Sequence, residues 1–243
     1  MFNLLSTGNT KTLKGLKKGY NTYILHLSPY NLAGFGNVCS HASQACKTAC
    51  LNSAGRGGMF KKGESLENNT HRVQIARKRK TALFFNNVQN FMELLVADIE
   101  KAIKQSNKKG LTPVFRLNGT SDIAWHKIKI ITHGNKNIFE LFPTVQFYDY
   151  TKNPAIAIAS QLIDNYHITF SQSENNHETV KTMLQSGVNV AIVFNKLPEH
   201  YYNKIVHDGD NTDLRFLDKP GIIGLKAKGK AKKDNSGFVV KIA

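Results

Sequence analysis

Asn189-Val190-Ala191-Ile192-Val193-Phe194 is followed at once by Asn195-Lys196, and this break from unbroken apolar to polar decides the fold. The apolar run has strand length rather than helix length, and its β-branched content favours extended chain. A strand without alternation suits burial on both faces, as in a parallel sheet. Further runs of this kind cover 22–28, 113–118, 144–149, 166–171 and 221–227. Between them the sequence predicts helices over 67–84, 88–106, 137–142, 154–164 and 178–186. In 88–106, Phe91, Leu94, Leu95, Ile99, Ala102 and Ile103 share one face, while Glu93, Glu100, Lys101 and Lys104 lie elsewhere. Pro154 sits where a first helical turn accepts it, and Gly110 and Gly187 sit where helices stop. Strand–helix alternation predicts an α/β fold with a parallel sheet, and no Gly-x-Gly-x-x-Gly follows the first strand. The expected architecture is a full or partial parallel (β/α) barrel, TIM-like, forming one domain over residues 1–243.

Polar residues gather just after each strand. The second strand ends in Arg116-Leu117-Asn118-Gly119-Thr120-Ser121-Asp122, the third in Asp149-Tyr150-Thr151-Lys152 and the fourth in Ser171-Gln172-Ser173-Glu174. The fifth ends in Asn195-Lys196 and the last in Lys226-Ala227-Lys228-Gly229. Turns need Gly, Asn, Asp and Ser, but they have no need of Arg116, Lys152, Glu174 or Lys226. In a parallel barrel these ends meet on one face, where active sites form. The expected small-molecule site therefore draws substrate contacts from Arg116, Asn118, Asp122, Lys152, Ser171 and Lys226. Arg116, Lys152 and Lys226 would hold carboxylate or phosphate, and Glu174 or Asp149 would act catalytically by moving a proton.

Every cysteine of the chain lies in Cys39-Ser40-His41-Ala42-Ser43-Gln44-Ala45-Cys46-Lys47-Thr48-Ala49-Cys50, directly after the first strand. Three Cys in 243 residues exclude a disulfide scaffold. Thiolates are soft ligands for zinc, copper(I) or iron–sulfur clusters, and Cys46 and Cys50 are one helical turn apart. A 4Fe-4S cluster usually takes four thiolates, so three would leave one iron open to a small molecule. A structural zinc site with His41 as fourth ligand is the competing expectation, although only Cys46 and Cys50 have the usual zinc spacing. The following Gly55-Arg56-Gly57-Gly58 is read either as an anion cradle or as a flexible connector. His26 reads first as a core histidine. Asp208, Asp210, Asp213 and Arg215 read either as a polar site or as an Asp-Gly turn.

The chain carries 33 Lys and Arg against 17 Asp and Glu, a net charge of +16. No acid precedes Glu64, and basic residues crowd 72–80 and 226–233. Such a field attracts polyanions, so nucleic acid is a candidate partner, yet no base-reading module is present. A basic nucleic-acid-binding accessory protein with a structural zinc loop is thus the alternative to an enzyme. The start lacks the apolar run of a secretory signal, and no run is long enough to span a membrane. A cytoplasmic protein with no membrane partner is expected.

A three-Cys loop after the first strand of a parallel α/β barrel resembles the radical S-adenosylmethionine superfamily, whose usual Cys-x3-Cys-x2-Cys is here Cys-x6-Cys-x3-Cys. That resemblance implies a cluster whose open iron binds S-adenosylmethionine. Over most of its length the chain is similar to a family of bacteriophage proteins. The carrying segments are the Cys loop, 116–122, 146–152, His207-Asp208-Gly209-Asp210 with Asp213-Leu214-Arg215-Phe216, and 224–229. This second resemblance implies a phage source and the host cytoplasm.

Overall fold

The computed structural model describes residues 3–7, 10–53, 55–59, 61–65 and 68–242. Ala54, beside the glycine-rich run, and Glu67, the expected start of the 67–84 helix, lie outside the described residues. Along the chain the elements are β1 (Leu5–Ser6), α1 (Thr10–Leu16), β2 (Tyr20–Leu25), α2 (Gln44–Thr48), α3 (Arg72–Asn86) and α4 (Val88–Asn107). Then follow β3 (Thr112–Arg116), α5 (Ile138–Leu141), β4 (Gln146–Thr151), α6 (Pro154–Ser160), β5 (Tyr166–Ser171), α7 (His177–Gln185) and β6 (Asn189–Phe194). The chain closes with β7 (His200–Tyr201), β8 (Lys204–Asp208), β9 (Ile222–Lys226) and β10 (Val239–Val240).

All six strands read from the sequence are present, as are all five helices, with ends shifted by a few residues. The helix expected over 154–164 stops at Ser160, where the Ser160 hydroxyl donates to the Ala157 carbonyl at 2.7 Å. Caps explain several starts. Asn137 and Glu140 form a reciprocal capping box on α5, Asn153 caps α6 ahead of Pro154, and Asn87 caps α4. The 67–84 expectation began too early: His71, whose ring accepts from Val73 N, caps α3.

The fold is a mixed α/β one with a largely parallel ten-stranded sheet. Its path runs β1-β2-β3-β4-β5-β6-β9-β8-β7, with β10 pairing the far end of β6. From β2 to β9 each step along this path is parallel, and the order advances in one direction without reversal. Right-handed crossovers then place the connecting helices on a single face. There Phe91 and Leu95 of α4, Phe139 of α5, Ile156 of α6 and Val180 of α7 bury Phe115, Phe147, Phe170 and Phe194. The opposite face is covered by α1 and residues 209–218, which pack Leu214 and Phe216 on Val114 and Tyr148. No pairing joins β2 to β9, and the sheet instead ends on β1 and β7 among the described residues. β7 and β8 form a hairpin whose turn, Tyr202-Asn203, has φ of +48° and +55°. None of its helices, among the described residues, is long and apolar enough to cross a membrane.

Candidate functional site

Parallel pairing sends the chain from β2 into the Cys loop at the carboxyl end of the sheet, and neighbouring strand ends hold that loop. Ser28 N donates to Thr81 Oγ1 of α3 at 2.8 Å, and Asp122 N donates to the Val38 carbonyl at 2.7 Å. The Cys39 thiol donates to the Thr120 carbonyl at 3.6 Å. Ser43 begins α2, its hydroxyl accepting from Cys46 N and donating to Glu174 Oε2 at 2.7 Å. The other Glu174 oxygen accepts from Ala45 N at 3.0 Å. Glu174, at the end of β5, thus buckles the Cys loop to the sheet, and these contacts, with a nearby Lys152 charge, hold its pKa below the ordinary value despite partial burial.

Past Cys50 the chain is gripped by α3. Arg77 Nη1 donates to the Asn52 carbonyl at 3.0 Å and to Asn52 Oδ1 at 2.5 Å. Gln74 Nε2 donates to the Asn52 and Gly57 carbonyls, and Asn52 donates back to Gln74 Oε1. A Cβ on Gly57 would lie 2.3 Å from the Asn52 carbonyl oxygen, and one on Gly58 2.1 Å from that of Ser53. Gly57 and Gly58 thus serve close backbone packing at this turn.

The three thiols lie within electrostatic reach of one another. Burial pushes Cys39 up to about 12, and the charges of Cys50, Asp122 and Cys46 add to the effect. Burial also raises Cys50, with Cys46 adding, while Asn52 N–H, Arg77 and Lys152 pull it back. Asp122 is raised by burial although it accepts from Thr151 Oγ1 at 2.5 Å and Lys152 N at 3.0 Å. The Lys152 ammonium lies over the Phe238 ring at 5.7 Å and favours the anionic forms of Asp122, Glu174 and Cys50. A metal bound by these sulfurs would displace their protons. Among the described residues no three of His, Cys, Asp or Glu stand as ligands around one ion.

The sequence model of the family described as Gene product 88 matches residues 3–242. The chain belongs to this phage family. No curated protein and no solved structure gives a match.

In this Gene product 88 chain, Cys39, Cys46, Cys50, Asp122, Lys152 and Glu174 come to one end of the sheet around one loop. Other expected site residues are engaged elsewhere. The Asn118 side chain is buried and organises its own loop, accepting from Ser121 Oγ, Ile123 N and Trp125 Nε1. Asp149 is fully buried on the helix-covered side, accepting from Asn118 N at 2.7 Å and the Tyr166 hydroxyl at 3.3 Å, and burial pushes it up to about 7. Arg116 turns to the opposite face, pairing with Asp213 at 3.2 Å and lying over Tyr150 at 4.8 Å. The Ser171 carbonyl accepts from Asn176 Nδ2, and Lys226 is exposed at the end of β9. His41 is exposed, its ring 2.9 Å from the Ser40 hydroxyl. Asp208, Asp210 and Asp213 do not converge: Asp210 pairs with Lys228 and Asp213 with Arg116. His26 is held neutral down to about 3 by burial and by the nearby Arg77, Arg116 and Lys80 charges.

Sequence reading passed over Arg77, Gln74 and Asn52, which brace the loop. The signal was present in α3, where Gln74, Lys80 and Thr81 are buried while Ile75 and Phe85 are exposed. A helix with polar residues on its buried face encloses a polar object. Of Arg77, Gln74 and Asn52, only Arg77 enters the sequence reading, as part of the basic run over 72–80.

Proposed function

We propose that this chain is an iron–sulfur protein whose 4Fe-4S cluster is held by Cys39, Cys46 and Cys50, and that it acts as an enzyme in the host cytoplasm. The observation that carries the reading is the gathering of three partly buried cysteines on one loop beside Arg77 and Lys152 at the carboxyl end of a parallel sheet. The donor set fits: three soft sulfurs on a short loop, with cations close enough to offset the charge gained when thiolates replace thiols. An iron left without protein thiolate is a coordination position for S-adenosylmethionine or a sulfur-containing substrate. The chain's own residues then have distinct tasks. Glu174 fixes the loop, Arg77 and Lys152 offset negative charge, and Asp122 orients Lys152 through its backbone N–H. The one-directional order of the parallel strands supports reading the sheet as an opened (β/α) barrel, which places the thiols where barrel enzymes keep their chemistry.

Anaerobic purification with iron and acid-labile sulfide analysis tests the proposal. The expected result is a brown protein with iron and sulfide in equal amounts, both lost from Cys39→Ala, Cys46→Ala and Cys50→Ala variants that stay folded by circular dichroism. Colourless protein containing zinc and no sulfide overturns the cluster. Calorimetry of cluster-loaded protein with S-adenosylmethionine tests the cofactor branch, and absence of binding removes it.

A further inference from the structure

The parallel sheet places the end of β9 on the same side as the Cys loop, and the chain from there to β10 is basic. Lys226, Lys230, Lys232 and Lys233 are exposed, and none of them has a carboxylate partner among the described residues. Buried Ala231 anchors the 3-10 turn Gly229–Lys233, so the lysines around it face outward, with Lys230 and Lys233 eclipsed one turn apart. The acid of this stretch, Asp234, is occupied by the Ser236 hydroxyl at 2.6 Å and Val239 N at 3.0 Å. Contacts tie this rim to the site. Phe238 lies against Lys152, and Gly237 approaches the Glu174 side chain that buckles the Cys loop.

We propose that the substrate of the Cys site is carried on a single-stranded nucleic acid whose phosphates lie along this rim. The inference rests on reading the Cys loop as the reactive centre. A row of diverging ammonium groups suits successive phosphates, whereas one small anion asks for donors that converge. Lipid is disfavoured, because no large apolar side chain is exposed between 226 and 242 to enter a bilayer. A single strand is favoured over a duplex because Cys39, Cys46 and Cys50 are each only partly exposed, and a base held in a duplex stack cannot turn toward a centre set behind the surface. The rim's lysines contact phosphates, which position a backbone rather than specify a sequence.

Fluorescence anisotropy with labelled single-stranded DNA and RNA and with the corresponding duplexes tests the proposal. The variants are Lys230→Glu/Lys232→Glu/Lys233→Glu and, as control, Lys101→Glu/Lys104→Glu/Lys108→Glu in the last turns and C-cap of the distant α4. The expected result is binding of one of the single strands in preference to duplex. The rim variant should lose about tenfold or more in affinity at 0.1 M salt, and its log–log salt slope should fall by about 2. The α4 variant should lose little. No binding by the unaltered protein, preference for duplex, or equal loss in both variants overturns the proposal. Photo-crosslinking of a thiouridine- or thiothymidine-bearing strand should label peptides from both 226–241 and 39–62, and labelling that spares 39–62 separates the strand from the site. Iron and sulfide content of the rim variant should equal that of the unaltered protein. The fate of the cluster reading is therefore measured apart from that of the rim.

Discussion

On its helix-covered side the sheet presents Phe115, Phe147 and Phe170 to α4, α5, α6 and α7, while the adjoining residues Arg116, Tyr148 and Thr169 face the other way. The first side is a continuous apolar core. The second buries Arg116 and Arg215 with Asp213 and Asp218, and leaves Thr169 Oγ1 and the Nε atoms of both arginines without a hydrogen-bond partner among the described residues. Apolar packing stabilises at every contact and strongly penalises a polar group such as Asp149, whereas a polar face is stable only while its charges stay paired. The difference separates the surface that holds the chain folded from the surface on which polar groups can be kept in fixed positions.

Breaking the apolar side should have the largest effect. Phe147→Ala removes a fully buried ring packed between Phe115 and Phe139 and should cost about 3–5 kcal/mol in denaturant unfolding. Removing one partner on the polar side comes next. Asp213→Ala strands the Arg116 guanidinium and should cost about 3 kcal/mol, and Arg116→Met combined with Asp213→Leu should recover most of that loss. Were Asp213→Ala alone to cost nothing, the polar face would not depend on pairing and the contrast would fail. The third test places charge on the apolar side. Burial holds the folded pKa of Asp149 near 7 against an ordinary value of 3.8. Between those values the folded chain keeps a proton that the unfolded chain has released, so stability falls as pH rises from about 4 through 7. Asp149→Asn removes this dependence, and its stability relative to the unaltered protein should rise by about 2–3 kcal/mol between pH 4 and 8. Urea unfolding of both proteins across that range checks the slope, and parallel curves would show that Asp149 does not titrate there.

Much of the fold was legible because burial on both faces leaves an apolar signature: 166–171 and 189–194 were read with the same limits as β5 and β6. The two-residue strands β1, β7 and β10 carry no such signature. β1 exists because Asp98 of α4 accepts from Leu4 N and Leu5 N and the Lys80 ammonium donates to the Leu4 carbonyl, contacts between segments about 75–95 residues apart. The gathering of the candidate site was legible where it is local, in the spacing of Cys39, Cys46 and Cys50, and at the strand ends carrying Asp122, Lys152 and Glu174. It was misleading at Asn118, Asp149 and Arg116, because sequence shows that a polar residue follows a strand but not which face it takes. A shift of one residue moves a side chain from one side of the sheet to the other.

The Glu174 buckle also has a consequence in time. Glu174 lies 131 residues after Ser43 in the chain. At about 5–20 residues per second, roughly 7–26 s pass between synthesis of the two, and for that interval the loop bearing the thiols has no clasp. Cys39, Cys46 and Cys50 thus leave the ribosome before the residue that clasps their loop, and β10, which pairs with β6, is made last of all.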